Sequence, residues 1–400
     1  MTGDRLVTLV VCDRDGNVLG RLDPFEVATP WWQDVEPIRD RFPALTVVRL
    51  LHGTPAADAA DGAAGGQVTY LAQSDSPLPL SPATEQVSAA DQPLRMPWAR
   101  PGGPAADLGW AAAAAAAAGL RLDGRPMQHR TWNLSCIWSL PVHGPSGHPE
   151  RLWLKCVPRF FAHEAAVLRR LSGHPVPALI AADAHRMLLA ELPGRDGYQA
   201  TTAEAEQIIE CLVALQLQTA PLVPALLADG VPDARHDAFV RELRSVVARR
   251  APGDPVLCRL VDEAPARLAQ AQDCGLPDVL VHGDAHPGNA RIGVSPPVLF
   301  DWGDAWIGNP VLDLAVLDRL PAPTAQARAA HWLRTWKQAV PGSDPERAWR
   351  LLRPLAALRF AVVYQRFLDH IEPSERIYHE QDVLPALRAA AELAAPAVDV

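Results

Sequence analysis

The stretch VLVHGDAHPGNARIGVSPPVLFDWGDAWIGNPVLDLA, residues 279–315, decides how the rest of the chain is read. It holds two short apolar segments, Val279–His282 and Val298–Asp301, each with the run of branched and aliphatic residues that predicts a strand. Turn chemistry follows each of them. Asp284 and Asn289 share one tight loop bearing Gly and Pro, and Asp301 ends the second strand, so a hairpin-like return can set it beside them. Two carboxylates and an amide are thereby placed on loops presented by buried strands, which is where function concentrates.

These residue types suit phosphoryl transfer. That reaction needs a carboxylate that orients the attacking hydroxyl and accepts its proton, and hard oxygen ligands that hold Mg²⁺ against the phosphates. Because Mg²⁺ takes only one or two carboxylates and keeps several waters, a sparse ligand set is adequate. The run HGDAHPGN (282–289), followed by FDWGD (300–304) and DLA (313–315), resembles the signature of the aminoglycoside phosphotransferase family and related choline-kinase-like enzymes. The resemblance implies that Asp284 is the catalytic base, that Asn289 and Asp301 are Mg²⁺ ligands, and that His282 and Asp313 brace the catalytic loop. His286 either contacts a phosphate or caps the loop. The competing reading of the motif is a polar loop between core strands, or a kinase-like fold that binds nucleotide without catalysis.

A nucleotide half should precede this stretch. Lys155 is the only lysine before residue 337 and lies in the apolar strand Leu152-Trp153-Leu154-Lys155-Cys156-Val157. A lysine so placed needs a partner or an anionic ligand, and the alternative is a lysine snorkelling from an edge strand. The resemblance makes Lys155 the phosphate-binding lysine. Glu164, nine residues on, opens the next predicted helix and can pair with it, with Pro158 turning the tight loop between. Thr131-Trp132-Asn133-Leu134-Ser135-Cys136 occupies the place of the phosphate-covering loop without G-x-G-x-x-G, so Ser135 or a backbone N–H would make the contact. Leu188–Gly194 resembles the interlobe hinge, which places backbone recognition of adenine at Ala190 and Leu192. The order lysine, glutamate, hinge, catalytic loop, metal aspartate is complete, and it implies ATP and Mg²⁺ as cofactors.

The chain has 400 residues, nearly half of them apolar, which suffices for two or three compact units. Its net charge of −9 argues against nucleic acid as a partner and is compatible with a cationic substrate or with solubility alone. Six cysteines are scattered without a C-x-x-C pair and several sit in apolar runs, which reads as reduced thiols in a cytoplasmic protein. The start reads as a strand rather than a secretory signal, and the run Ala111–Ala118 is too short to span a bilayer. No membrane association and no obligate protein partner are expected.

Residues 1–75 read as a small α/β module: a strand at Leu6–Val11, turn chemistry at Asp13–Asn17, a returning strand at Val18–Leu22, a helix over Gln33–Phe42, and strands at Leu45–Leu51 and Gln67–Ala72. The hairpin opening resembles a Nudix domain, but no Glu-rich metal-binding helix follows, so the module reads as non-catalytic. Residues 76–103 form a linker or extended wrap in which Trp98 docks. A helix over Pro104–Ala118 then leads into a strand-rich region to residue 194, with strands at Gln128–Leu140 and Arg151–Val157 joined by a turn at Pro141–Pro149, a helix at His163–Leu171, and strands at Ala178–Ala182 and Arg186–Leu192. From residue 195 to 400 the pattern is mostly helical. Strand-rich first and helix-rich afterwards is α+β, and the resemblance implies a two-lobed protein-kinase-like fold, its N-lobe at 104–194 and its C-lobe at 195–400.

The C-terminal helices should shape the acceptor pocket. Asp304, Trp306, Tyr364, Gln365, Arg366, Asp369, His370 and Glu372 are candidates, and Asp369–Glu375 offers either carboxylates for an aminoglycoside or an ordinary solvated helix end. The acceptor is expected to be a small-molecule hydroxyl. Two other functions compete: a catalytically silent nucleotide-binding regulator, and a protein kinase. The second is disfavoured because neither a glycine-rich loop nor an Ala-Pro-Glu motif is present.

Overall fold

The segment RLVTLVVC carries apolar residues at successive positions, and the strand it forms, β1 (Arg5–Cys12), is buried on both faces: Val7, Leu9 and Val11 enter one core, Val10 and Cys12 another. In this computed structural model, which describes residues 4–57, 62–74, 76–83, 87, 92–143 and 149–395, the turn after β1 is closed by the Asp13 carboxylate, which accepts from the backbone N–H groups of Asp15 and Asn17, both at 2.9 Å. β2 (Val18–Val27) returns antiparallel. The helix α1 (Glu36–Arg41) is shorter than the sequence predicts. Residues ahead of it bond instead to a later strand, with Val35 N–H donating to the His129 carbonyl at 2.9 Å and the Gln33 carbonyl accepting from Thr131 at 3.1 Å. β3 (Leu45–Thr54) and β4 (Gly66–Ser74) complete a sheet of order β2-β1-β4-β3 in which only β1 and β4 run parallel.

Two compact units partition the chain. The first comprises Met1–Phe160, Leu179–Glu191 and Phe367–Gln381, so the N-terminal sheet and the strand-rich region belong to one unit. Within it Trp98 is buried, as its isolated position in a polar stretch suggests, and its indole donates to the Trp132 carbonyl at 3.0 Å. Residues 84–86 and 88–91 of the linker, and 144–148 of the turn expected at Pro141–Pro149, lie outside the described residues. The helix α2 (Gly103–Ala117) has Pro104 in its first turn, and Gly119 stops it at φ +77°. A second sheet holds β5 (Arg121–Leu122), β6 (Met127–Thr131), β7 (Cys136–His143), β8 (Pro149–Cys156), β9 (Leu179–Ala182) and β10 (Arg186–Ala190), in the order β5-β7-β8-β10-β9 with β6 also paired to β7. The strand predicted over Gln128–Leu140 is thus two strands. The turn Trp132–Ser135 separates them, closed by Trp132 N–H to the Ser135 carbonyl at 3.0 Å.

The segment 367–381 contributes two buried carboxylates to the first unit, and here the sequence reading needs correction. Glu372 and Glu375 are neither solvated nor available to an acceptor. Glu372 is buried and pairs with Arg95 at 3.0 Å, and Glu375 is 4 % exposed, with Oε1 accepting from Leu50 N–H at 3.3 Å. Burial, reinforced by the Glu372 carboxylate, pushes Glu375 up to about 8, with hydrogen bonds and Arg49 pulling the other way; Tyr70 and Tyr378 are further titratable neighbours. The folded chain then keeps a proton that the unfolded chain releases above its ordinary 4.5. The resulting stability is fully present below that value and is lost as pH rises through about 8. At ~1.4 kcal/mol per pH unit the window is worth a few kcal/mol. Thermal melts between pH 5 and 9 should show the wild-type midpoint falling with pH and Glu375→Gln, which stays neutral, falling less. Parallel curves for the two proteins would exclude this account.

The second unit comprises Phe161–Ala178, Leu192–Arg366 and Asp382–Val400. Its elements are α3 (Glu164–Arg170), β11 (Arg195–Asp196), α4 (Thr202–Thr219), α5 (Val223–Ala228), α6 (His236–Arg250), α7 (Pro255–Gln272), β12 (Val279–Val281), β13 (Ala290–Ile292), β14 (Val298–Leu299), β15 (Trp306–Gly308), α8 (Ala322–Ala339), α9 (Pro345–His370), whose last residues enter the first unit, and α10 (Val383–Ala394). α4 starts in a capping box in which Thr201 and Glu204 satisfy each other's backbone N–H groups. The stretch Thr202–Ala228 is long and apolar enough to cross a membrane by composition. In this fold Ile208, Leu212 and Leu215 are buried, and α4 packs on α8 and β12, so its apolarity is that of a core helix. The cysteines are free, and all but the partly exposed Cys258 are buried, as expected of core thiols.

Candidate active site

Two short ladders build the site, both within the second unit. β12 pairs antiparallel with β15, setting Val281 opposite Trp306, and β13 pairs antiparallel with β14, setting Ala290 opposite Leu299. The chain leaves β12 through residues 282–289, returns along β13 and β14, turns through 300–305 and closes on β12 again. Each end of the first loop is therefore held beside an end of the second. The hairpin-like return expected from the sequence is this cross-pairing.

On the first loop, Asn289 donates its amide N–H groups to the Asp284 carbonyl at 2.9 Å and to Asp284 Oδ2 at 3.1 Å. The Asp284 side chain is 33 % exposed and open to a ligand. His286 accepts the Gly288 N–H on Nδ1 at 3.0 Å, capping the turn Pro287–Asn289, and its Nε2 lies 3.5 Å from Asp284 Oδ2. Of the two roles open for His286, the structure shows the cap. His282 is fully buried; its Nδ1 accepts from Asp284 N–H at 3.3 Å, and Nε2 faces the Phe300 carbonyl at 3.1 Å. These bonds assign the neutral tautomer with the proton on Nε2. His282 thus ties the loop of Asp284 to the residue preceding Asp301.

Asp313 braces the loop from below. Its carboxylate accepts from the backbone N–H groups of His282 at 2.9 Å and Gly283 at 2.7 Å, and from Gln216 at 2.7 Å. Burial pushes this carboxyl upward, opposed by the hydrogen bonds it accepts. Gln216 in turn accepts from the Trp336 indole at 3.1 Å. Sequence reasoning missed Gln216, because a glutamine within a helix carries no local mark of being a buried relay. Gly283 sits at φ +86°, and a Cβ there would lie 2.3 Å from the Asp304 carbonyl oxygen. Gly283→Ala should therefore cost about 2–4 kcal/mol through backbone strain and collision and lower turnover at least tenfold, as read by denaturant melts and initial rates. Wild-type values for both would show that the close approach is dispensable.

On the second loop, Asp301 adopts the left-handed conformation, φ 66° and ψ 63°. A non-glycine residue held there costs on the order of 1–2 kcal/mol, and such strain concentrates at functional sites. The turn after it is fixed by Glu164, a buried residue opening α3, whose Oε1 accepts from Trp302 N–H at 3.2 Å. Asp304 is pushed up to about 7 by burial, then by the carboxylates of Asp284 and Asp301, with Arg359 and Arg366 opposing. The two loops therefore concentrate negative charge, which a divalent cation would relieve.

The residues fit Mg²⁺. Asn289 spends its amide N–H groups on Asp284, which leaves its oxygen as a hard donor alongside the Asp301 carboxylate. No group of three or more His, Cys, Asp or Glu suited to a metal occurs among the described residues, so water and phosphate oxygens would complete the shell, as Mg²⁺ prefers.

The nucleotide candidates are placed as follows. Lys155 lies on β8, the central strand of its sheet between β7 and β10, opposite Ile137 and Met187. It is therefore not a lysine of an edge strand. Leu152, Leu154 and Cys156 fill the core on one face of β8, and Lys155 alternates to the other. Ser135 is buried, and its hydroxyl accepts from the Trp132 indole at 3.0 Å. Ala190 ends β10, and the chain passes from the first unit to the second between Glu191 and Leu192.

Several acceptor candidates are core residues. Trp306 is 1 % exposed, beneath Arg359 at 4.0 Å from its ring, and Gln365 is buried and bonded to Arg250. Arg366 pairs with Glu242 at 2.7 Å, and Tyr364 accepts from Arg319 at 2.5 Å. Asp369 and His370 are exposed in the first unit. Tyr198, not singled out from the sequence, is 74 % exposed with its ring 6.0 Å from that of His286.

The sequence matches the family described as the phosphotransferase enzyme family over residues 151–355, just over half of the 400-residue chain. No curated protein sequence matches the chain. Among solved structures, it is similar to a macrolide 2'-phosphotransferase from Brachybacterium faecium (20 % identity, TM-score 0.47, 70 % of this chain and 97 % of that one). It is also similar to an ethanolamine kinase from Plasmodium vivax (12 %, 0.47, 64 % and 78 %) and a choline kinase from Cryptosporidium parvum (13 %, 0.45, 69 % and 90 %). With both loops of the site inside the matched region, and with strands and helices arranged as an α+β fold, the chain belongs to the phosphotransferase enzyme family.

Proposed function

We propose that this protein is a cytoplasmic ATP- and Mg²⁺-dependent O-phosphotransferase whose acceptor is a hydroxyl of a small molecule, with no nucleic acid, membrane or obligate protein partner. The observation that carries the reading is the cross-pairing of β12 with β15 and β13 with β14, which brings Asp284, Asn289 and Asp301 onto adjoining loops.

Asp284 orients the acceptor hydroxyl and takes its proton at the carboxylate. The Asn289 amide and the Asp313 brace keep that carboxylate in place through the loop backbone. Asn289 and Asp301 would hold Mg²⁺, which supplies neutralisation of phosphate charge when bound. Glu164 fixes the turn of Asp301 through Trp302 N–H. Lys155 would pair with the donor phosphates, Ser135 and its turn would cover them, and backbone groups at Ala190 and Leu192 would take the adenine. Of the carboxylates expected to greet an aminoglycoside, Glu372 and Glu375 are buried and committed elsewhere. The proposal is therefore for a small-molecule hydroxyl and goes no further toward a polycation.

The test is a screen of ATP consumption against amines, sugars, amino alcohols and aminoglycosides, with Asp284→Asn as the blank. Acceptor-stimulated turnover that vanishes in the blank supports the reading. ATP binding without transfer to any acceptor would instead favour a silent nucleotide-binding protein.

A further inference from the structure

Residues 1–75 take no part in the chemistry above, yet they are fastened closely to the turn Trp132–Ser135. Gln33 and Val35 bond to the backbone of β6, and Asp34 bridges Arg130. Gln128, fully buried on β6, acts like a rung of a ladder against β3: Oε1 accepts from Val47 N–H at 3.0 Å and Nε2 donates to the Val47 carbonyl at 2.8 Å. A third attachment runs through the segment 372–379. Glu375 accepts from Leu50 N–H of β3 on its side chain, while its backbone carbonyl accepts from Asn133 Nδ2 at 3.2 Å. Asn133, 2 % exposed, also bonds through Oδ1 to His379 Nε2 at 3.1 Å. The Trp132 ring packs edge-on against Tyr378 at 5.5 Å, and Tyr378 against Trp32 at 6.3 Å. All of these residues belong to the first unit.

The turn needs such support. It contains no glycine, so it cannot follow a ligand by adopting glycine-only conformations. A polar loop that contacts a highly charged group works best when its donors are fixed beforehand, because ordering them on binding subtracts from affinity. Here both ends of the Asn133 side chain, and the Trp132 carbonyl through Trp98, are held by surrounding protein.

We propose that the N-terminal module and the segment Glu372–His379 form a built-in brace that positions the turn Trp132–Ser135 over the donor phosphates, with Asn133 as its positioning residue. The donor role rests on the nucleotide reading above; the brace itself rests on the contacts within the first unit.

The experiment combines hydrogen exchange with calorimetric titration of Mg·ATP on the full chain, comparing wild type, Asn133→Ala and Gln128→Ala. Expected are exchange at residues 132–135 at least about tenfold faster in both variants, unchanged protection in β8 and β10, and ATP affinity at least about tenfold weaker. Gln128→Ala leaves the turn's own residues intact and carries the test if Asn133→Ala fails to fold. Unchanged exchange at the turn overturns the proposal, as does faster exchange with full ATP affinity. A wild type that binds no Mg·ATP overturns the nucleotide reading along with it, whereas tight binding by wild type and Asn133→Ala alike overturns the brace alone.

Discussion

Asp284→Asn is expected to lower phosphate transfer by roughly 10³–10⁴-fold, or about 4–5.5 kcal/mol of transition-state stabilisation, while leaving the melting temperature close to that of wild type. The asymmetry follows from where the side chain stands. Asp284 is one-third exposed, and its carboxylate accepts a hydrogen bond within the loop from Asn289 at 3.1 Å. An amide of the same shape fills the space but cannot take a proton from a hydroxyl. Initial rates with the acceptor found by screening, set beside thermal melts, check both halves. Activity within tenfold of wild type would remove Asp284 from the chemistry.

Asp313→Ala should do the opposite, damaging the fold first and the activity through it. Its carboxylate satisfies the N–H groups of His282 and Gly283 and the Gln216 amide, all in a buried setting. Truncation leaves those donors unpaired, at a cost of roughly 3–5 kcal/mol. Asp313→Asn restores only part of this, because one end of the new amide would meet a donor with a donor. Denaturant titration gives the stability change directly. A loss below about 1 kcal/mol for Asp313→Ala would mean that the loop is held by something other than this carboxylate.

The two aspartates show how much of the site was legible in the chain. Asp284, Asn289 and Asp301 could be singled out because a catalytic loop is local: turn-forming residues, spacing and flanking apolar runs sit within a few dozen positions. Gln216 and Glu375 could not. One is a helix residue whose importance comes from a partner 97 positions away, and the other an apparent surface acid whose partner Leu50 lies 325 positions away. The helix expected over 33–42 was shortened for the same reason, since backbone bonds to β6 outweighed local helical spacing.

By itself the sequence determined the α+β class, the strand-then-helix order, and the family signature with its carboxylates and amide, because these depend on periodicity and short-range turn chemistry. Tertiary structure alone decided that Glu372 and Glu375 are interior, that Lys155 stands on a central strand, and that the N-terminal module is fastened to the turn Trp132–Ser135. Burial and partnership across hundreds of residues are properties of packing. A side chain's charge and size do not reveal whether water or protein surrounds it until the chain has closed around it.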